Sequence, residues 1–252
     1  MAGVSLGFTE AGTVPLSTHL CALYSGPAER DATLFPYIEE GLRAGDDCLC
    51  LIDGLEVGSV LDRLLARVDA EGVKRLELCV ERATDAYLEA GEFSADEMEA
   101  FLEENVAAIA GDPSRRLRAT GEMSWVLRNP PGADEFFAYE SAVNRVAGGG
   151  PSIFLCLYDL DQFGADMMLD VLRTHPQVVL DGAVRDNPHY QSPETYAPTW
   201  NATAGDRRKP GTSAPPAAFE RRVAALVAGG ASSREVVERL LQEAPGPEVT
   251  EG

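Results

Sequence analysis

Residues 19–31, HLCALYSGPAERD, decide the class of fold to which this chain belongs. The apolar run 19–24 predicts a buried strand, and Ser25-Gly26-Pro27 predicts a tight turn. The helix that follows, to about Arg43, has four apolar residues at helical spacing: Leu34, Tyr37, Ile38 and Leu42. A strand, a turn and a helix in this order form the opening unit of an α/β domain.

The same alternation continues along the chain. Apolar runs predict further strands at 47–53, 76–80, 117–125, 153–158 and 178–184. Amphipathic helices are predicted at 57–68, 95–110, 134–146 and 164–173. Because parallel neighbours need a crossover helix, residues 18–190 are expected to form an α/β three-layer sandwich with a mostly parallel central sheet.

The segments outside this domain differ in composition. Residues 1–17 predict a flexible leader, and residues 191–216, rich in Pro, Ser and Gly, predict a linker. Residues 217–244 predict a short helical tail, a hairpin of helices at 217–228 and 233–243 whose second helix starts with a Ser232/Glu235 capping box. Neither a signal peptide nor a membrane-spanning run is readable, so a cytoplasmic protein without membrane contact is expected.

The net charge limits the kinds of partner that the chain can bind, and the placement of the cysteines indicates their redox state. The 252 residues include 41 acidic and 21 basic side chains, giving a formal net charge of −20. This charge would repel a phosphate backbone, so direct nucleic-acid binding is not expected. The cysteines lie at five scattered positions within predicted buried strands and are expected to be free thiols: Cys21, Cys48, Cys50, Cys79 and Cys156.

The turn after the first strand lacks the residues of a phosphate-binding loop. It has one glycine, no lysine and the carboxylates of Glu29 and Asp31, whereas a phosphate loop needs free backbone N–H groups and a cation. Neither a G-x-G-x-x-G nor a G-x-S-x-G motif follows any predicted strand. The sequence therefore predicts no nucleotide cofactor and no enzymatic activity.

Several side chains are candidates for binding a small organic ligand. Tyr24, Glu122, Trp125 and Tyr158 lie near the carboxyl ends of three predicted strands and are expected to converge on a pocket with an aromatic wall. The alternative is that they are core aromatic residues and buried polar groups that bond to the backbone.

Two further groups of polar side chains are candidates. Glu140 and Asn144 lie four residues apart on one helix face, beside the apolar stripe that includes Tyr139, and are expected to pin a strand-end loop. His19 and Cys21 share one face of the first strand and, with His175 or Cys156 nearby, would suit a soft metal. Packing in the core is the commoner fate of such residues, so no metal is predicted.

In the order of its segments the chain resembles the MEDS family, the methanogen/methylotroph DcmR-type sensory domain. The resemblance covers residues 19–190. The fold of this family is similar to a RecA/KaiC-type fold that has lost its nucleotide-binding motifs. Its pieces are residues 19–24, 41–46, 118–125, 139–140, 144, 156–159 and 175.

The resemblance implies a non-catalytic signal-input domain that senses a one-carbon or hydrocarbon-derived ligand and relays to a regulatory protein partner. Residues 225–240 resemble the first two helices of a LuxR-type helix-turn-helix, but prolines stand where the recognition helix would follow. Two alternatives stay open: a partner-switching protein that regulates an anti-sigma factor or histidine kinase, and a metal-dependent enzyme using His19, Cys21 and Glu122. A homodimer is a further option.

Overall fold

The computed structural model describes residues 3–8, 12–68, 78–112, 114–196 and 218–242. Its strands are β1 (Val4–Ser5), β2 (Thr13–Val14), β3 (Thr18–Tyr24), β4 (Asp47–Ile52), β5 (Leu78–Arg82), β6 (Leu117–Glu122), β7 (Ser152–Asp159), β8 (Gln177–Leu180) and β9 (Ala183–Asp186). Its helices are α1 (Gly26–Ala44), α2 (Val57–Leu65), α3 (Ala83–Tyr87), α4 (Ala95–Ile109), α5 (Phe136–Gly148), α6 (Ala165–Thr174), α7 (Ala218–Ala228) and α8 (Ser233–Leu241).

A seven-stranded sheet in the order β5-β4-β6-β7-β3-β8-β9 forms the centre of the molecule. Its pairs are parallel except β8 with β9. The opening strand β3 lies inside the sheet, with Cys21 opposite Cys156 of β7 and opposite Val178 of β8. The predicted α/β class and mostly parallel sheet are confirmed.

Two apolar cores, one on each face of the sheet, make the three layers. On the face that we call the α1 face, Leu20, Ala22 and Tyr24 pack against α1 and α2. On the opposite face, the α5 face, Cys21 and Tyr158 pack against α4, α5 and α6. Because side chains alternate along a strand, neighbouring residues of β3 belong to different cores.

Two predicted strands are wrong in extent. The strand predicted at 117–125 ends at Glu122, and a 3₁₀ helix over Met123–Arg128 carries Trp125. The strand predicted at 178–184 is a hairpin, since Asp181 and Gly182 have φ of 54° and 73° and turn β8 into β9. An Asp-Gly pair with both φ values positive is a preferred two-residue hairpin turn.

The exposure of one cysteine, on the edge strand β5, differs from the predicted burial. Cys79 is exposed on this strand, whereas the other four cysteines are buried, and all five are free thiols. The first two residues of the strand predicted at 76–80 lie outside the described residues.

Within the predicted leader, the described residues 3–8 and 12–17 include two short strands that pack on the sheet domain. β1 pairs with β2, and Leu6 is buried in the core of the α1 face. The fully buried Arg118 donates to the Ser5 carbonyl at 3.1 Å and to Asp46 at 2.8 Å, which ties this hairpin to β6.

The predicted helical hairpin is present as α7 and α8, with the capping box of Ser232 and Glu235 formed. Most of the predicted linker, 197–216, and residues 217 and 243–244 of the tail lie outside the described residues. In the part of the chain that the structure describes, no helix combines the length and the apolar character that crossing a membrane requires.

Candidate functional site

Two carboxylates, one from the turn after β3 and one from the end of β7, accept hydrogen bonds from the backbone of that turn. Glu29 accepts from the Ser25 N–H at 2.8 Å, and Asp159 accepts from the Gly26 N–H at 3.3 Å. These amides lie at the start of α1, where a phosphate loop would present them to an anion. A bound phosphate would have to displace both carboxylates and would meet their negative charge.

A side chain from the tail occupies the same turn. Arg234 of α8 donates to Glu29 at 2.5 Å, to the Ser25 hydroxyl at 3.2 Å and to Asp181 at 2.7 Å. Val236, Val237 and Leu240 of the same helix are fully buried in the core of the α5 face. The tail is therefore docked on the sheet domain, with its cation at the carboxyl ends of β3 and β8.

The four residues expected to form one pocket are divided by the sheet. Tyr24 lies in the core of the α1 face, and Trp125 and Tyr158 lie in the core of the α5 face. Glu122 accepts from the backbone of Asp53 and Gly54 at 2.7 and 2.9 Å, and its other oxygen lies 3.5 Å from Arg30.

Most of the other candidates gather at one point in the middle of the α5 face. His19 Nε2 lies 3.3 Å from Cys156 Sγ, and His175 Nε2 lies 3.0 Å from Glu140 Oε2. Tyr158 donates to the same Glu140 oxygen at 2.6 Å. We call His19, Glu140, Cys156 and His175 the buried cluster; β3, α5, β7 and the end of α6 each contribute one member.

Neighbouring candidates support the buried cluster. Asn144 donates to the Thr174 carbonyl at 2.8 Å and so fixes the end of α6 next to His175. The pinning of a strand-end loop by Glu140 and Asn144 stays a prediction. Cys21 lies opposite Cys156 across the β3–β7 pair. Glu122 is on the other side of the sheet, so the His19, Cys21 and Glu122 constellation considered for an enzyme is not assembled.

Burial is the largest influence on the ionisation of two cluster members, Cys156 and His19. It raises the pKa of the Cys156 thiol well above its usual value, and the Glu140 carboxylate raises it further. Burial lowers the pKa of His19 well below its usual value, and His175 adds to this effect while Asn144 opposes it. Since Asn144 makes no well-aligned hydrogen bond to His19 Nδ1, that atom is buried without a partner.

An aromatic wall borders the cluster. Tyr87 stacks on Trp125 with ring centroids 4.8 Å apart and meets Tyr139 edge-on at 6.1 Å. Between Tyr87, Tyr139 and Cys156 lies an apolar cavity of about 20 Å³. This volume holds about one water-sized group.

Sequence reasoning missed Tyr87, Arg30 and Arg234. Tyr87 lies on a helix of five residues, too short for a periodic pattern. Arg30 stands in the turn itself and pairs with Asp31 at 2.9 Å, so its proximity in sequence could have identified it as the partner of that carboxylate. Arg234 is distant in sequence, and nothing local signals its contact with residue 29.

Comparison with known proteins gives two findings. Residues 18–176 match the family model described as MEDS, MEthanogen/methylotroph, DcmR Sensory domain. A curated relative, the transcriptional repressor DcmR of Methylorubrum extorquens (strain DSM 6343 / CIP 106787 / DM4), is 30% identical over 159 residues, which are 62% of this chain and 57% of the relative. The chain thus matches somewhat more than half of the length of that repressor.

Proposed function

The chain belongs to the MEDS family of sensory domains, and from this premise we propose that it is a non-catalytic sensor that binds a small organic molecule and signals through its C-terminal helices. One series of contacts carries the proposal. Tyr158 bonds to Glu140 in the buried cluster, and its ring meets Phe163 edge-on at 5.1 Å. The Phe163 carbonyl accepts from the Ser233 hydroxyl at 2.8 Å, at the first residue of α8.

The size and lining of the interior favour a small, largely apolar ligand. A cavity of about 20 Å³ lined by Tyr87, Tyr139 and Cys156 admits a one-carbon or short hydrocarbon derivative only if neighbouring side chains shift. Such a shift would move Tyr158 and Phe163 and so change the position of α8 on the sheet domain. The larger surface cleft, about 240 Å³, is lined by several carboxylates and suits an apolar molecule poorly.

The output is assigned to a regulatory protein partner. The curated relative is a transcriptional repressor, which agrees with a regulatory role. The net charge of −20 disfavours direct contact with nucleic acid. We therefore expect a protein partner whose binding depends on the position of α7 and α8. Five free thiols agree with a reducing compartment such as the cytoplasm.

A thermal-unfolding screen tests the ligand. One-carbon and short-chain compounds, including methanol, methylamine and dichloromethane, are added to the full chain, with Mg-ATP in a parallel arm. A compound present at one hundred times its Kd should stabilise the native state by about 2.7 kcal/mol. No stabilisation by any compound would contradict the small-ligand proposal, and micromolar Mg-ATP binding by calorimetry would contradict the loss of a nucleotide site.

Two matched alanine variants test the location. Ala119→Val adds two methyl groups at the wall of the cavity and should abolish the compound-dependent stabilisation. Ala22→Val adds the same groups to a buried strand alanine on the α1 face and should preserve it. Equal loss in both variants would refute the interior site. A partner captured equally well with and without the active compound would favour the partner-switching alternative.

A further inference from the structure

The side chains of the buried cluster belong to the residue types that bind transition metals. Two imidazoles, a thiol and a carboxylate come from four separate elements, and their donor atoms all lie within 4.8 Å of one another. All four residues are buried. From this geometry we propose that His19, Glu140, Cys156 and His175 bind one zinc-type divalent ion in a closed tetrahedral site.

Four of the donor separations are close to tetrahedral values, and the donors as a set lie within 4.8 Å of one another, so an ion would need only small side-chain shifts to draw them in. Zinc lies about 2.0 to 2.3 Å from nitrogen, oxygen and sulfur donors, so donor atoms at the corners of a tetrahedron are about 3.3 to 3.6 Å apart. The measured separations are 3.3 Å from His19 Nε2 to Cys156 Sγ, 3.8 Å from Cys156 Sγ to Glu140 Oε1, and 3.0 Å from His175 Nε2 to Glu140 Oε2. His19 Nε2 lies 3.9 Å from Glu140 Oε2.

The orientation of His175 points to an ion rather than to a simple hydrogen bond. Its Nδ1 lies 2.7 Å from the Val171 carbonyl, which can only accept, so Nδ1 carries the proton. In the neutral ring, Nε2 then presents a lone pair to the Glu140 carboxylate at 3.0 Å, and it makes no well-aligned hydrogen bond. A cation between the two atoms turns this repulsion into attraction.

The charge of the site favours a divalent ion. In the part of the chain that the structure describes, the basic side chains within 4.0 Å of the Glu140 carboxylate are the imidazoles of His19 and His175. When the thiol of Cys156 binds the ion, its proton is released to solvent, and the thiolate and the Glu140 carboxylate together carry two negative charges. One divalent cation makes the buried site neutral overall, which removes the cost of an isolated buried charge.

Surrounding groups hold the donors in place, as they do in known metal sites. Tyr158 donates to Glu140 at 2.6 Å, and the Val171 carbonyl fixes the ring of His175. The mixed nitrogen, sulfur and oxygen donors favour zinc over calcium or magnesium, which need six or more oxygen ligands. With four protein ligands, no coordination position stays open for a water, so the ion stabilises and tunes the site instead of catalysing.

Metal analysis and cobalt spectroscopy test this proposal independently of the sensory role. The full chain is refolded with and without zinc, and its metal content is measured after gel filtration; we expect about one zinc per chain. Cobalt in place of zinc should give the visible absorption of a tetrahedral ion together with a thiolate-to-cobalt charge-transfer band. A folded wild-type protein that retains far less than one zinc per chain overturns the proposal, whatever the compound screen returns.

Two cysteine variants assign the thiolate. Cys156→Ala should lose the charge-transfer band, whereas Cys21→Ala, its cross-strand neighbour, should keep it. Tyr158→Phe keeps all four ligands but removes the bond to Glu140, and zinc affinity should fall about 10- to 100-fold. A charge-transfer band that survives Cys156→Ala refutes the assignment. If that variant does not fold, an unchanged zinc affinity in Tyr158→Phe still counts against the site.

Discussion

Two single substitutions in α8 separate the apolar and the polar contributions to the free energy that holds the tail on the sheet domain. Leu240 is fully buried in the core of the α5 face, and its truncation to alanine should cost about 2 to 5 kcal/mol. Arg234 has a side chain that is 25% exposed, and its partners Glu29 and Asp181 are about half exposed. Ion pairs of this kind contribute about 0 to 1 kcal/mol each, because solvent screens them.

Hydrogen exchange of the α7 and α8 amides measures the two contributions separately. If the tail opens as a unit, Leu240→Ala should accelerate exchange about 30-fold or more, from the lower limit of 2 kcal/mol. Arg234→Ala should accelerate it about 30-fold at most, and typically much less, from its two exposed ion pairs. Amides of β3 and β7 report global unfolding and serve as the internal control.

Two outcomes would refute this reasoning. If Arg234→Ala accelerates exchange in α8 more than Leu240→Ala does, polar contacts rather than burial hold the tail. If Leu240→Ala leaves exchange unchanged, the tail is not docked through its apolar face. In either case the contact between Phe163 and Ser233 would no longer be a supported route for signalling.

Three further outcomes are expected. Asp46→Ala removes the carboxylate partner of the buried Arg118 and should lower the free energy of unfolding by about 3 to 5 kcal/mol. Urea titrations measure this loss, and a loss below about 1 kcal/mol would contradict the prediction. Tyr158→Phe in chelator-treated protein leaves Glu140 without its hydroxyl donor and should cost about 1 to 3 kcal/mol by the same measurement, whereas unchanged stability would argue against that bond. A thiol reagent should modify Cys79 of the native protein before the buried cysteines. The rate of this modification should rise with pH, because partial burial raises the pKa of Cys79 to about 11. Modification that is unaffected by Cys79→Ser would contradict this prediction.

The fold was largely predictable because its signal is local. The apolar run 19–24 and the helix ending at Gly45 follow from side-chain periodicity and from a glycine with φ of 79°. The errors arose where a short local signal was outweighed by a longer one. Asp181-Gly182 lies inside an apolar run whose pattern predicts one strand, although this dipeptide favours a hairpin turn.

The candidate site was predictable only in part, because its assembly depends on strand order. Tyr24 and Trp125 both follow strand ends, but which face of the sheet each occupies depends on alternation along β3 and on the 3₁₀ helix after β6. The approach of His19, Cys156 and His175 follows from β3 lying beside both β7 and β8. Sequence suggested His19 and Cys21 as a pair that His175 or Cys156 could join, and the sheet order is what brings these residues together.

The position of β3 inside the sheet has a consequence for how the protein is made. This strand is synthesised early, yet both of its partners, β7 and β8, come more than a hundred residues later. At about 5 to 20 residues per second, a ribosome needs on the order of six to thirty seconds to supply them. During that time residues 19–24 lack both strand partners, so their unpaired backbone N–H and C=O groups and their apolar side chains are open to association with other chains until the carboxyl half emerges.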